Sequence, residues 1–146
     1  MRKTVDTLLS LLRFIFCGEK PEGPLVLTED EADKLYVLSG KHDITQLIAY
    51  ALELSGYDMP ENAKKRFRQS KVIAVYRNEL MEAEYLKVTA LLEEENVKYI
   101  PLKGAVIKKL YPESWMRTCG DIDILVEKDK AEKVAKLLEE KLNYGI

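Results

Sequence analysis

Histidine and cysteine are scarce in this sequence: there are one His and two Cys in 146 residues. A soft-metal centre needs several such ligands close together, and Cys119 has no Cys or His neighbour in sequence. Cys119 therefore reads as a small packing residue, and Cys17 stands far from it. His42 lies between two expected helices without an acid–base partner, so it reads as structural or capping. An excess of charge of one sign is also lacking. The net charge is −2, which argues against a polyanion or an anionic membrane surface as partner. The basic residues are scattered, which argues against a general nucleic-acid face. No apolar run approaches the length of a membrane span. The stretch Thr4–Cys17 is apolar, but Asp6 and Arg13 interrupt it and no small-residue cleavage site follows. A cytoplasmic protein with reduced thiols is expected. Internal repeats and low-complexity tracts are absent as well.

What is present is ordinary for a globular chain: 47% hydrophobic and 33% charged residues, and enough length for a real core. Leu8, Leu9, Leu12, Ile15 and Phe16 recur at helical spacing over Val5–Phe16. "GEKPEGP" is a loop. Thr28 with Glu31 forms a capping-box pattern, and the helix it opens is expected to end at Ser39 and Gly40. Asp43 is expected to cap the next helix, whose stripe is Ile44, Leu47, Ile48, Ala51 and Leu52. Glu61 to Asn96 contains neither proline nor glycine and predicts one long helix. "VKYIPL" then reads as a short strand with Pro101 at an edge or an end. Lys103-Gly104-Ala105 turns into a short helix stopped at Pro112. "DIDILVE" reads as a second strand. Asp129 with Glu132 predicts the cap of a last helix, ended by Asn143 and Gly145. The expected organisation is a helical region, 1–96, and a β-α-β-α core, 97–146, within one folding unit.

Asp121 and Asp123 are the residues that ask for chemistry. Two positions apart on a strand, they would project from one face. Paired carboxylates repel, and burial raises the cost; a divalent cation removes both penalties. Oxygen-only ligands suit Mg²⁺ or Mn²⁺. A solvent-facing pair, or a turn cap at Asp121, reads the same residues without a metal. Gly104, between a strand and a helix, lets backbone N–H groups approach a phosphate, with Lys103 beside it; a tight turn that needs glycine is the plainer alternative. Arg117 can pair with a phosphate or orient one of the aspartates. Trp115 and Met116 shield such a site, stack on a base, or simply pack.

"YIPLKGAVIKKLYPESWMRTCGDIDILV" resembles the core signature of the uncharacterised nucleotidyltransferase family, within the polymerase-beta-like nucleotidyltransferase superfamily. The matching positions are Leu102, Lys103, Gly104, Leu110, Tyr111, Pro112, Arg117, Asp121, Ile122, Asp123, Leu125 and Val126. "KHDITQLIAYAL", with His42 and Leu47, is similar to the family too. The resemblance implies an α+β protein: a helical N-terminal part packed on a polymerase-beta-like β-α-β-α core with a small mixed sheet. It implies transfer of a nucleoside monophosphate from an NTP to an acceptor hydroxyl, with Asp121 and Asp123 as catalytic metal ligands for Mg²⁺ or Mn²⁺. Lys103, Gly104, Ala105 and Arg117 would bind the nucleotide. The wider superfamily has Gly-Ser where this chain has Gly104-Ala105, so a hydroxyl contact to phosphate is not expected.

The superfamily draws a third carboxylate from a later strand. Glu127 shares the strand face but lies about 13 Å from Asp123, at roughly 3.3 Å per residue, too far for metals ~3.5–4 Å apart. The expectation is a truncated core with an unpaired sheet edge, through which a homodimer could form. The competing reading is a non-catalytic helical interaction module, a degenerate or truncated nucleotidyltransferase. The acceptor and the preferred base are not written in these residues.

Overall fold

The computed structural model describes residues 2–23 and 25–145. Among these residues six α-helices and two strands follow one another: α1 (Arg2–Cys17), α2 (Glu29–Lys41), α3 (Thr45–Ser55), α4 (Glu61–Glu94), β1 (Tyr99–Pro101), α5 (Gly104–Ile107), β2 (Ile124–Val126) and α6 (Ala131–Leu142). Short 3₁₀ turns occupy Lys108–Leu110, Ser114–Met116 and Lys128–Lys130. Two compact units emerge. One runs to Tyr76 and includes Trp115–Thr118; the other comprises Arg77–Ser114 and the chain from Cys119 onward. No helix among the described residues is long and apolar enough to cross a membrane.

The first unit is helical, because its apolar residues recur every three to four positions. α1 packs on α2 and α3. Leu11, Ala32, Leu35 and Ile48 are almost wholly buried at their junction. The N-terminus of α2 carries the expected capping box. Glu31 N–H donates to Thr28 Oγ1, and Thr28 N–H donates to Glu31 Oε2 at 3.0 Å. Two orphan amides are thereby satisfied. Gly40 does not end α2, which runs on to Lys41 with His42 in the C-cap position. Asp43 does not cap α3 either. It adopts a left-handed φ of 54°, and Ile44 takes the N-cap place without a side-chain bond. Trp115 stands edge-on to Tyr50, and Met116 is buried, its carbonyl accepting from Gln46 Nε2 at 2.9 Å. Both residues therefore serve packing within this unit.

In the second unit the last turns of α4 and the inner face of α6 cover one side of the sheet. Val88, Leu92, Val97 and Val134 form its buried cluster, with Tyr99, Ile124 and Val126 of the strands against it. The sheet is antiparallel where a mixed one was expected, with Tyr99 opposite Val126 and Pro101 opposite Ile124. Among the described residues it has two strands, so each keeps an unpaired edge. Both strands are shorter than the sequence suggests. Proline at 101 has no N–H for a ladder, and β1 ends there. A strand is only as long as its partner allows, so β2 begins at Ile124. The Asp129–Glu132 cap does not form: Lys128–Lys130 makes a 3₁₀ turn first, and α6 starts beyond it without a side-chain cap. Asn143 ends α6 in the left-handed conformation, as expected.

Candidate functional site

The two candidate aspartates lie in the lead-in to β2 rather than inside it. The alternation rule for strands therefore does not by itself put their side chains on one face. Asp123 is still held by the ladder, however. Leu102 N–H donates to Asp123 O at 2.9 Å, one step beyond the Pro101–Ile124 pair. This bond sets the Leu102-Lys103-Gly104 turn directly beside the Asp121-Ile122-Asp123 segment.

Lys103 then reaches across. Its Nζ lies 3.1 Å from Asp123 Oδ2. That oxygen is shielded from solvent and accepts no well-aligned hydrogen bond. The contact is thus Coulombic rather than a directed bond, between a side chain 71% exposed and one 29% exposed. Such a half-exposed pair contributes little to stability. It leaves Lys103 free to exchange its partner for another anion.

The backbone at this turn is unusual. Lys103 has φ 42° and ψ −112°, a region that a residue with a β-carbon occupies at a cost of order 1–3 kcal/mol. Gly104, by contrast, has no left-handed φ. It is buried, and a β-carbon there would lie 2.6 Å from Cys119 Sγ and 3.3 Å from Cys119 Cβ. Close approach, not turn geometry, demands glycine at 104. Cys119 is thus the second face of the turn, a role its place two residues before Asp121 does not announce.

Ala105 is half-buried in α5. Val106 and Ile107 N–H groups both donate to Lys103 O, at 3.1 and 2.9 Å. The first amides of a helix have no partner four residues back, and those of Gly104 and Ala105 are such amides. α5 has only four residues, so its dipole is small. Lys108, buried in the following 3₁₀ turn, pairs with Glu82 of α4 and anchors this segment.

Asp121 is exposed. With Gly120 and Ile122 it borders an apolar cavity of about 420 Å³ within the second unit. Arg117 falls in the Trp115–Thr118 segment of the first unit, and its Nε is buried without a hydrogen-bond partner. The structure thus brings together Lys103, Gly104, Ala105 and Asp123, with Cys119 in addition. Glu127 is exposed and precedes the 3₁₀ turn at Lys128. Among the described residues no three His, Cys, Asp or Glu side chains gather as a metal-binding group.

No curated protein and no solved structure matches the chain. A family model does. It is described as "Uncharacterised nucleotidyltransferase", and it spans residues 28–144. That span contains the capping box of α2, the Lys103-Gly104 turn and both aspartates. This chain belongs to the uncharacterised nucleotidyltransferase family.

Proposed function

We propose that this chain transfers a nucleoside monophosphate from an NTP to an acceptor hydroxyl. A bond forms between the acceptor oxygen and the α-phosphorus, and the bond to pyrophosphate breaks. One observation carries the reading. The Leu102 N–H to Asp123 O bond at 2.9 Å sets the Lys103-Gly104 turn against the Asp123 segment, and Lys103 Nζ rests 3.1 Å from Asp123 Oδ2.

Family membership supports the general class, and divalent metals are general in it. The donors present fit such an ion. Asp121 and Asp123 offer oxygen only, as Mg²⁺ or Mn²⁺ prefers, and Asp123 Oδ2 is a shielded carboxylate oxygen without a directed hydrogen bond. Asp121 and Asp123 would hold the ion, which supplies charge neutralisation at phosphate oxygens. The chain's own groups do the rest. Lys103, exposed and loosely paired, turns from Asp123 to a phosphate. Gly104 and Ala105 present amides to the same phosphates. Arg117 has the phosphate role that the resemblance implies. The same proposal includes a homodimer through the free sheet edges; a monodisperse monomer in light scattering at high concentration would remove that part.

The test is calorimetric titration with MgATP. Wild-type protein is expected to bind saturably, and affinity is expected to fall at least tenfold in Asp121→Ala/Asp123→Ala and in Lys103→Met. Equal binding by the double variant would refute the metal role. Binding without pyrophosphate release, over a broad set of hydroxyl acceptors, would instead favour a non-catalytic interaction module.

A further inference from the structure

Beside Asp121 a concave cavity, open to solvent on one side, is set into the second unit. Its volume of about 420 Å³ falls within the ~300–1,000 Å³ typical of small-molecule sites. Its walls come from three elements of one unit: Val88 and Leu92 of α4, Ile122, Ile124 and Val126 around β2, and Val134 and Leu138 of α6. The polar groups on it are the carboxylates of Glu84 and Asp121 and the hydroxyl of Tyr144. No Lys, Arg or His is among its described lining residues.

Glu84 is already engaged. It accepts from Lys87 Nζ at 2.6 Å and from Tyr144 Oη at 2.7 Å. Lys87 and then Tyr144 hold its carboxyl below the ordinary range, so it is charged at neutral pH. Asp121 sits at the other polar corner, shared with the candidate metal pair. A triphosphate would meet two carboxylates here, Glu84 paired with Lys87 and Asp121 with no basic lining residue beside it, so the cavity disfavours the nucleotide's anionic end. An uncharged or cationic body would bury apolar surface against the valines, leucines and isoleucines, with its polar end at Asp121.

We propose that this cavity is the acceptor pocket, and that it takes a neutral or cationic small molecule with an apolar body and a hydroxyl directed to Asp121. The assignment rests on the nucleotidyl-transfer reading, because it is Asp121 that makes the cavity's occupant an acceptor.

Two dyes with the same aromatic body test it: neutral N-phenyl-1-naphthylamine and anionic 8-anilinonaphthalene-1-sulfonate, followed by fluorescence. The neutral dye is expected to saturate at one site, and the anionic dye to bind at least tenfold more weakly. Asp121→Asn is expected to narrow that gap at least threefold without changing the volume. Met81→Trp, at the half-buried rim, is expected to abolish neutral-dye binding while leaving the circular dichroism spectrum unchanged. Saturating MgATP is expected to leave neutral-dye affinity within twofold. Absence of saturable neutral-dye binding, equal or tighter binding of the anionic dye, or displacement by ATP or adenosine would each overturn the assignment. Calorimetry with MgATP on the same sample separates the two readings. A protein that binds MgATP but not the neutral dye loses the cavity assignment alone. One that binds the dye but no MgATP loses the transfer reading, and the acceptor role with it.

Discussion

Gly104 and Lys103 divide between them two duties that one glycine could have carried. Gly104 supplies close approach: a β-carbon there meets Cys119 Sγ at 2.6 Å. Gly104→Ala is expected to destabilise the protein by about 1–3 kcal/mol, the usual cost of overpacking, read from urea denaturation. Cys119→Ala in the same chain is expected to restore most of that loss, and failure to do so would show that the strain lies elsewhere. Lys103 carries the backbone strain, at φ 42°. Lys103→Gly removes that strain and a half-exposed ion pair of small worth. Stability is expected to rise by about 1 kcal/mol while MgATP affinity falls. A variant that loses both would mean that the lysine side chain holds the turn together. Neither duty could be read from sequence. Positions 104 and 119 are joined only by the tertiary fold, and a lysine at positive φ breaks the local preference on which any sequence reading depends.

Local pattern decides how well each element can be foreseen. The Thr28–Glu31 box lies within four residues and forms as expected. Lys3 hydrogen-bonds the Glu31 carboxylate, and with the Thr28 amide it lowers the pKa from 4.5 to about 2. A carboxyl with a depressed folded-state pKa stabilises fully above its unfolded value and loses that contribution as pH falls through its folded value. Wild-type protein is therefore expected to lose stability between about pH 4.5 and 2 more steeply than Glu31→Gln. Matching slopes in denaturation midpoint against pH would contradict this. The stripe of α3 was equally legible, and Ile48 within it is completely buried. Ile48→Ala is expected to cost about 2–5 kcal/mol in the same denaturation assay. Where a cap pattern met a competing local conformation, foresight failed. Asp129 has the right spacing to Glu132, but it sits inside a 3₁₀ turn that ends before α6 begins. Asp43 is drawn into a left-handed turn instead of capping α3. β2 lost its first three expected residues because its length is set by β1, a partner more than twenty positions away.

Across the whole molecule, one proline- and glycine-free helix of 34 residues, α4, passes through both compact units. No break in composition marks the division at Tyr76. Trp115–Thr118 joins the first unit although the residues on either side belong to the second, and only the three-dimensional arrangement shows this. The candidate site, by comparison, was legible in outline. Lys103, Gly104, Asp121 and Asp123 stood out through residue type and spacing, and the ladder bond to Asp123 O joins the two motifs. The cavity next to Asp121 was not legible, because it joins α4 to β2 and α6, which only the tertiary fold brings together. The proposed chemistry requires metal and nucleotide to meet at that pair of motifs and nowhere else. Paramagnetic line broadening by Mn²⁺ in the presence of ATP reports on this directly. Substoichiometric Mn²⁺ is expected to broaden the amide resonances of residues 102–105 and 121–124 first, leaving Leu11 and Ile48 sharp. Uniform broadening, or broadening centred away from both motifs, would contradict the account.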